Sequence, residues 1–166
     1  MNSEALLRSF SHSPRLFQLA DKILLSSPQR IVCNNLQGSS PAFLISAIFQ
    51  NDSTSQLNHL VVCEDSEAAA YLHNTIESLT GALDLFYFPS SFKNKKNYRL
   101  LNSSHVMLRT EALTRLSAAR GTNKKLIVTY PEALFEKVVL PEALTGNIIS
   151  IKAGDTLDLE GLLVKL

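Results

Sequence analysis

Arg30-Ile31-Val32-Cys33-Asn34-Asn35-Leu36-Gln37-Gly38-Ser39-Ser40-Pro41-Ala42-Phe43-Leu44-Ile45-Ser46-Ala47-Ile48-Phe49 is the stretch on which the reading of the fold turns. Arg30 to Cys33 reads as a short buried strand, Asn34 to Ser40 as a small-residue turn, and Pro41 onward as a buried apolar helix. Ser39 or Ser40 is placed to cap that helix, and proline suits its first position because its φ is already fixed. The layout is that of a phosphate-binding loop, G-x-x-x-x-G-K-[ST], in which backbone N–H groups cradle phosphates and the lysine neutralises them. Laid over this template, the first glycine falls on Asn35, the second on Ser40, the lysine on Pro41 and the Mg²⁺-holding hydroxyl on Ala42, with Gly38 and Ser39 inside the loop. Pro41 brings no charge and removes a backbone donor. The expectation is the scaffold of a nucleotide site without its chemistry.

Outward from this stretch, apolar strands and amphipathic helices alternate. Glu4 to Ser27 reads as helical. A second helix opens at Pro14, with Leu16, Leu19, Ala20, Ile23 and Leu24 at helical spacing, and is expected to pack on an edge or face of the sheet. Asn51 to Asn58 reads as a surface loop and His59 to Cys63 as a second buried strand. A helix comes next with Ala69, Leu72, Ile76 and Leu79 on one face, closed by Gly81. Asp84 to Phe88 is a third strand, ended by Pro89. Ser90 to His105, basic and rich in Asn and Ser, reads as an exposed loop. Met107 to Ala119 reads as an amphipathic helix with Leu108, Ala112, Leu113 and Leu116 inward and a Glu111–Arg115 pair on its surface. Lys124 to Thr129 is a fourth strand, succeeded by Tyr130-Pro131 and a short helix to about Lys137. Strands alternating with helices of about ten residues or more predict a parallel sheet, with the altered loop at the carboxyl end of its first strand, where such sheets bind ligands.

Beyond Pro141 the pattern changes. Asn147 to Ile151 reads as a strand, Gly154-Asp155 as a turn, and Asp158 as the cap of a helix carrying Leu159, Leu162, Leu163 and Leu166. The chain reads as cut in the opening of a second unit. The expected divisions are a helical extension over 1–28, an α/β core over 29–137 and the start of a further domain over 138–166.

The bulk composition narrows the class. A chain of 166 residues, 45% hydrophobic and 19% charged, fits one globular domain with a fragment of another. No apolar run approaches the roughly 20 residues of a membrane span, and Met1-Asn2-Ser3-Glu4 lacks the build of a signal peptide. A cytoplasmic protein with no membrane partner is expected. Cys33 and Cys63 each lie in an apolar run and read as core thiols, while His12, His59, His73 and His105 are scattered, so no metal site is expected. Charge is segregated. Ile31 to Phe92 holds six acidic residues and no Lys or Arg, whereas Lys93 to Lys125 holds nine basic residues against Glu111 alone, a net of +8.

Taken together, Gln37-Gly38-Ser39-Ser40-Pro41-Ala42, His59-Leu60-Val61-Val62-Cys63-Glu64 with the helix through Ala69-Ala70-Tyr71-Leu72-His73-Asn74, Pro89-Ser90-Ser91-Phe92, Met107-Leu108-Arg109-Thr110-Glu111-Ala112-Leu113 and Leu126-Ile127-Val128-Thr129-Tyr130-Pro131-Glu132-Ala133-Leu134 form a series. In this order they resemble the N-terminal, UvrB-like module of the bacterial transcription-repair coupling factors (Mfd). The resemblance covers about residues 29 to 166. It implies a P-loop NTPase-like α/β core, like domain 1a of UvrB but degenerate, with the start of a small inserted α+β domain after it. It implies no catalytic residue, cofactor or metal in this piece: Asn35, Gly38, Ser39, Ser40, Pro41 and Ala42 would form a loop emptied of function. ATP and Mg²⁺ would belong to a motor further along the parent protein, which displaces stalled RNA polymerase from DNA. The partners implied are UvrA, through the inserted domain mostly beyond residue 166, and other domains of the parent.

Two other readings stand beside this one. A small nucleotide-binding α/β enzyme with an atypical phosphate loop would need an acidic pair at a strand end to hold Mg²⁺ and orient water, and none has the usual pattern. A weak DNA-binding module would use the basic segment, with Lys93, Lys95, Lys96, Arg99 and Arg109 as candidate contacts to DNA or a partner. Only Phe92 and Tyr98 accompany that cluster as stacking aromatics, and no groove-reading motif is present.

Overall fold

The computed structural model describes residues 3–25, 27–54, 56–81, 84–92, 100–118 and 124–138. Over these residues the chain is α/β, with a small open sheet of three parallel strands and six helices. Helices α1 (Ser3–Ser11), α2 (Pro14–Ile23) and α3 (Ser40–Gln50) precede a single 3₁₀ turn at Asp52–Thr54. Then come β1 (His59–Val62), α4 (Ser66–Thr80), β2 (Leu85–Phe88), α5 (Ser103–Ala118), β3 (Leu126–Thr129) and α6 (Pro131–Phe135). The strand order is β1-β3-β2, so β3 has a neighbour on each side. The register aligns Leu60, Ile127 and Phe86 across one face, and Val61, Val128 and Tyr87 across the other.

The two faces are covered by different helices. Tyr87 donates its hydroxyl to the Ser66 carbonyl at 3.2 Å, and its ring lies 5.6 Å from that of His73, which puts α4 on the Tyr87 face. Arg109 and Arg115 lie over the Phe88 and Phe86 rings, which puts α5 on the opposite face. Helix α4 is well specified locally: Asp65 accepts a hydrogen bond from the Ala68 N–H at 2.8 Å at its start. At its end, Gly81 takes the left-handed conformation at φ 56°. Ala69 and Ile76 are fully buried against the sheet, as their spacing predicts.

Several expectations change. Arg30 to Cys33 forms no strand; it is irregular and mostly exposed, with Ile31 partly buried, Val32 65% exposed and Cys33 at the surface rather than in the core. The sheet holds β1 and β2 on the two sides of β3, and among the described residues Arg30 to Cys33 pairs with none of the three strands. The helical hairpin α1–α2 packs on α3 instead of on the sheet. Leu7, Leu16 and Ala20 meet Ala47 and Ile48, and the Phe10 and Phe43 rings stack at 5.5 Å. Asn51 to Asn58 is not simply a surface loop, since Thr54 is fully buried and donates to the Ile48 carbonyl at 2.7 Å. Strand β1 is half-exposed rather than buried. The readings made for 139–166, including the strand at Asn147 and the leucine-rich helix, lie outside the described residues.

Candidate functional site

In the stretch that the sequence suggests as an altered phosphate loop, two residues take left-handed backbone conformations. Asn35, at the position of the first glycine, has φ 63°, and Gly38 has φ 56°. Asparagine tolerates that region better than most side chains. The Ser40 N–H donates to the Gln37 carbonyl at 3.1 Å, closing a turn into α3, and Ser39 stands at the N-cap without a side-chain cap bond. Residues 34–38 are exposed, and the loop hangs before α3 without a sheet strand behind it. Pro41 and Ala42 sit in the first turn of α3, Ala42 buried, so neither reaches out to a ligand.

The carboxyl end of the sheet, where open parallel sheets receive ligands, holds a different group of residues. Pro89-Ser90-Ser91 comes directly after β2, and Tyr130 directly after β3. The Glu136 carboxylate accepts from the Ser91 N–H at 2.8 Å and the Ser90 hydroxyl at 3.0 Å, and lies 3.4 Å from Arg109 Nε. Arg109 Nη1 donates to the carbonyls of Pro89 (2.8 Å) and Ala133 (3.0 Å), and its guanidinium stacks on the Phe88 ring. The Ser90 N–H donates to the Tyr130 hydroxyl at 2.8 Å, and His105 Nδ1 lies 2.9 Å from the Ser90 carbonyl. These groups tie three segments together: the turn after β2, the inner face of α5 and the residue at the end of α6.

The electrostatics arise from burial and pairing. Burial works to raise the Glu136 pKa, but the hydrogen bonds from Ser91 and Ser90 and the Arg109 charge outweigh it and hold the carboxyl below its ordinary value. Burial lowers the Arg109 pKa against the pull of Glu136, and the group stays cationic. Burial, with Tyr130 and Cys63 nearby, pushes Tyr87 up to about 12. The Cys63 thiol is raised by burial and by Asp65 and Glu64, which keeps it protonated and a poor nucleophile. At the N-terminus of α4 the Asp65 carboxylate already takes up a helix N–H, and at that of α5 the Asn102 side chain lies 3.4 Å from the His105 N–H.

The basic segment loses part of its expected surface. Arg109, named from sequence as a candidate contact, is 4% exposed and committed to the interior. Lys125 is buried beside Asp84, and Lys124 donates to the Asn51 carbonyl with its ammonium 5.4 Å from the Phe49 ring centroid. Arg115 pairs with Glu111 at 2.9 Å, as the spacing predicts. Lys93, Lys95, Lys96 and Arg99 lie outside the described residues; the ends of their segment are joined by an antiparallel bridge between Phe92 and Leu101. Among the described residues no group of three His, Cys, Asp or Glu side chains gathers as a metal site, and no helix is long and apolar enough to cross a membrane.

Sequence reasoning missed the cluster around Glu136. One signal was available: Arg109 shares a helical stripe with His105 and Ala112, the inward-facing residues of α5. No protein-family model, curated protein or solved structure matches this chain.

Proposed function

We propose that this chain is a non-catalytic interaction module with a degenerate P-loop NTPase-like core, of the kind that opens the bacterial transcription-repair coupling factors. It acts in the cytoplasm, in transcription-coupled nucleotide excision repair, through contacts with other proteins. The observation that carries this reading is the occupied carboxyl end of the sheet. There Glu136, held by Ser90, Ser91 and Arg109, stands where a sheet of this class admits a ligand. Pro41 and Ala42 at the lysine and hydroxyl positions of the loop support the same reading. On this proposal the chain takes no cofactor, and ATP and Mg²⁺ serve the motor of the parent protein, which meets RNA polymerase and DNA. UvrA docks on the inserted domain that begins near residue 138.

Two measurements test it. Calorimetry with ATP–Mg²⁺ should give no binding heat, and micromolar affinity would restore the enzyme reading. A pull-down of UvrA should succeed with a chain extended through the inserted domain and fail with residues 1–166 alone. Equal capture by the shorter chain would move the docking surface into the α/β core, and capture by neither would overturn the partner.

A further inference from the structure

Strand β1 presents an edge that is open among the described residues. The His59 N–H donates to the Lys125 carbonyl at 2.7 Å and the Cys63 N–H to the Thr129 carbonyl at 2.8 Å, so the odd-numbered residues turn their peptide groups toward β3. By the alternation of a strand, the peptide groups of Leu60 and Val62 point the other way, to the free edge. Their side chains are exposed as well, Leu60 by 56% and Val62 by 49%, because among the described residues α5 covers that face over β2, at the far side of the sheet.

Natural sheets blunt such edges with lysine, proline, bulges or a covering segment. His59-Leu60-Val61-Val62 has no charge and no proline, and its register with β3 runs without a bulge. The residues just past the strand are acidic: Glu64 and Glu67 are exposed and Asp65 partly so, within a stretch from Ile31 to Phe92 that has no Lys or Arg. Two copies of this edge paired in parallel would bring like charges together, whereas antiparallel pairing would not, so self-association is the competing outcome that the test must exclude.

We infer that the β1 edge is a docking site for an extended segment of a partner protein, which adds to the sheet as a further strand. That segment carries apolar residues at alternate positions, to lie beside Leu60 and Val62, and basic residues at the end that meets Glu64 and Glu67. Main-chain hydrogen bonds supply affinity and the alternate side chains supply selectivity. The edge belongs to the α/β core and not to the inserted domain, so the docking site stands apart from the repair reading.

The test uses two synthetic probes, Ac-Thr-Val-Thr-Val-Thr-Lys-Lys-NH₂ and Ac-Lys-Lys-Thr-Val-Thr-Val-Thr-NH₂, which cover parallel and antiparallel addition. Titration monitored by NMR should shift the amides of Leu60 and Val62 and slow their hydrogen exchange with one of the two. Glu64→Gln and Glu67→Gln should each weaken that probe by about two- to fivefold, the size of a surface ion pair. Val62→Lys, at an exposed position where folding is little affected, should abolish it. Three results would overturn the inference: no change at Leu60 and Val62, equal binding of a probe with proline in place of valine, or protection of those amides by self-association without peptide.

Discussion

The guanidinium carbon of Arg109 lies 4.1 Å from the centroid of the Phe88 ring, so the cation is held between an aromatic face and the Glu136 carboxylate. Two carbonyls, an aromatic face and a carboxylate together suit the flat guanidinium fork and not a point charge. Arg109→Leu leaves Glu136 without its cation in a site that is 13% exposed. It is expected to destabilise the fold by about 3 kcal/mol. Arg109→Lys should recover only a minor part. Urea denaturation of the three proteins measures both; a change under about 0.5 kcal/mol, the size of an ordinary surface substitution, would remove the structural role.

Acid should lower the stability of the protein in two steps. His59 is half-buried near Lys124, and its Nε2, itself buried, makes no hydrogen bond among the described residues. Burial, and then the Lys124 charge, lower its pKa from the ordinary 6.5. The unfolded chain therefore binds the proton more readily, and the stability present above pH 6.5 declines as pH falls toward the folded value. Glu136 adds the second stage, since its depressed pKa contributes stability above 4.5 that is lost as pH drops through the folded value. Chemical denaturation at a series of pH values should show both limbs. His59→Phe should erase the upper one and leave the lower.

Thr54 supplies a smaller, local test. Its hydroxyl donates to the Ile48 carbonyl at 2.7 Å and lies 3.0 Å from that of Asn51, closing the C-terminus of α3 from within a fully buried position. Thr54→Val keeps the shape and removes the donor, so a loss of about 1–2 kcal/mol is expected. An unchanged melting temperature would contradict it.

Gly81 tests the cap of α4. With φ 56° and no atom within 4 Å of an added Cβ, Gly81→Ala meets no clash and is opposed by backbone conformation alone. The expected cost is about 1 kcal/mol, read as a shift in denaturation midpoint with an unchanged slope.

Where local chemistry decides the structure, the sequence was legible. Asp65 and Gly81 bracket α4, and Leu85 to Phe88 and Leu126 to Thr129 carry enough apolar residues to be buried strands. Where a distant partner decides it, the sequence was not. Ile31-Val32-Cys33 has strand composition, but a strand also needs a neighbouring strand to pair with, and no local pattern reveals that this segment joins none of the three. The basic run misled for a related reason: Arg109 and Lys125 count as charge in a sequence, while their long side chains can satisfy that charge inside the fold. The Glu136 cluster joins residues more than 40 positions apart, which no spacing rule reaches.

The packing of α1 and α2 on α3 bears on where this protein can be divided. Helix α3 is lined on both sides: Ala42 and Phe49 belong to the core that includes the sheet, and Ala47 and Ile48 to the one shared with the first two helices. A cut at residue 28, where the sequence places a boundary, would leave Phe43, Leu44, Ala47 and Ile48 facing water along one side of a helix. Such a contiguous apolar stripe is a liability for aggregation. Shortened forms intended for crystallisation or partner capture should therefore keep both N-terminal helices.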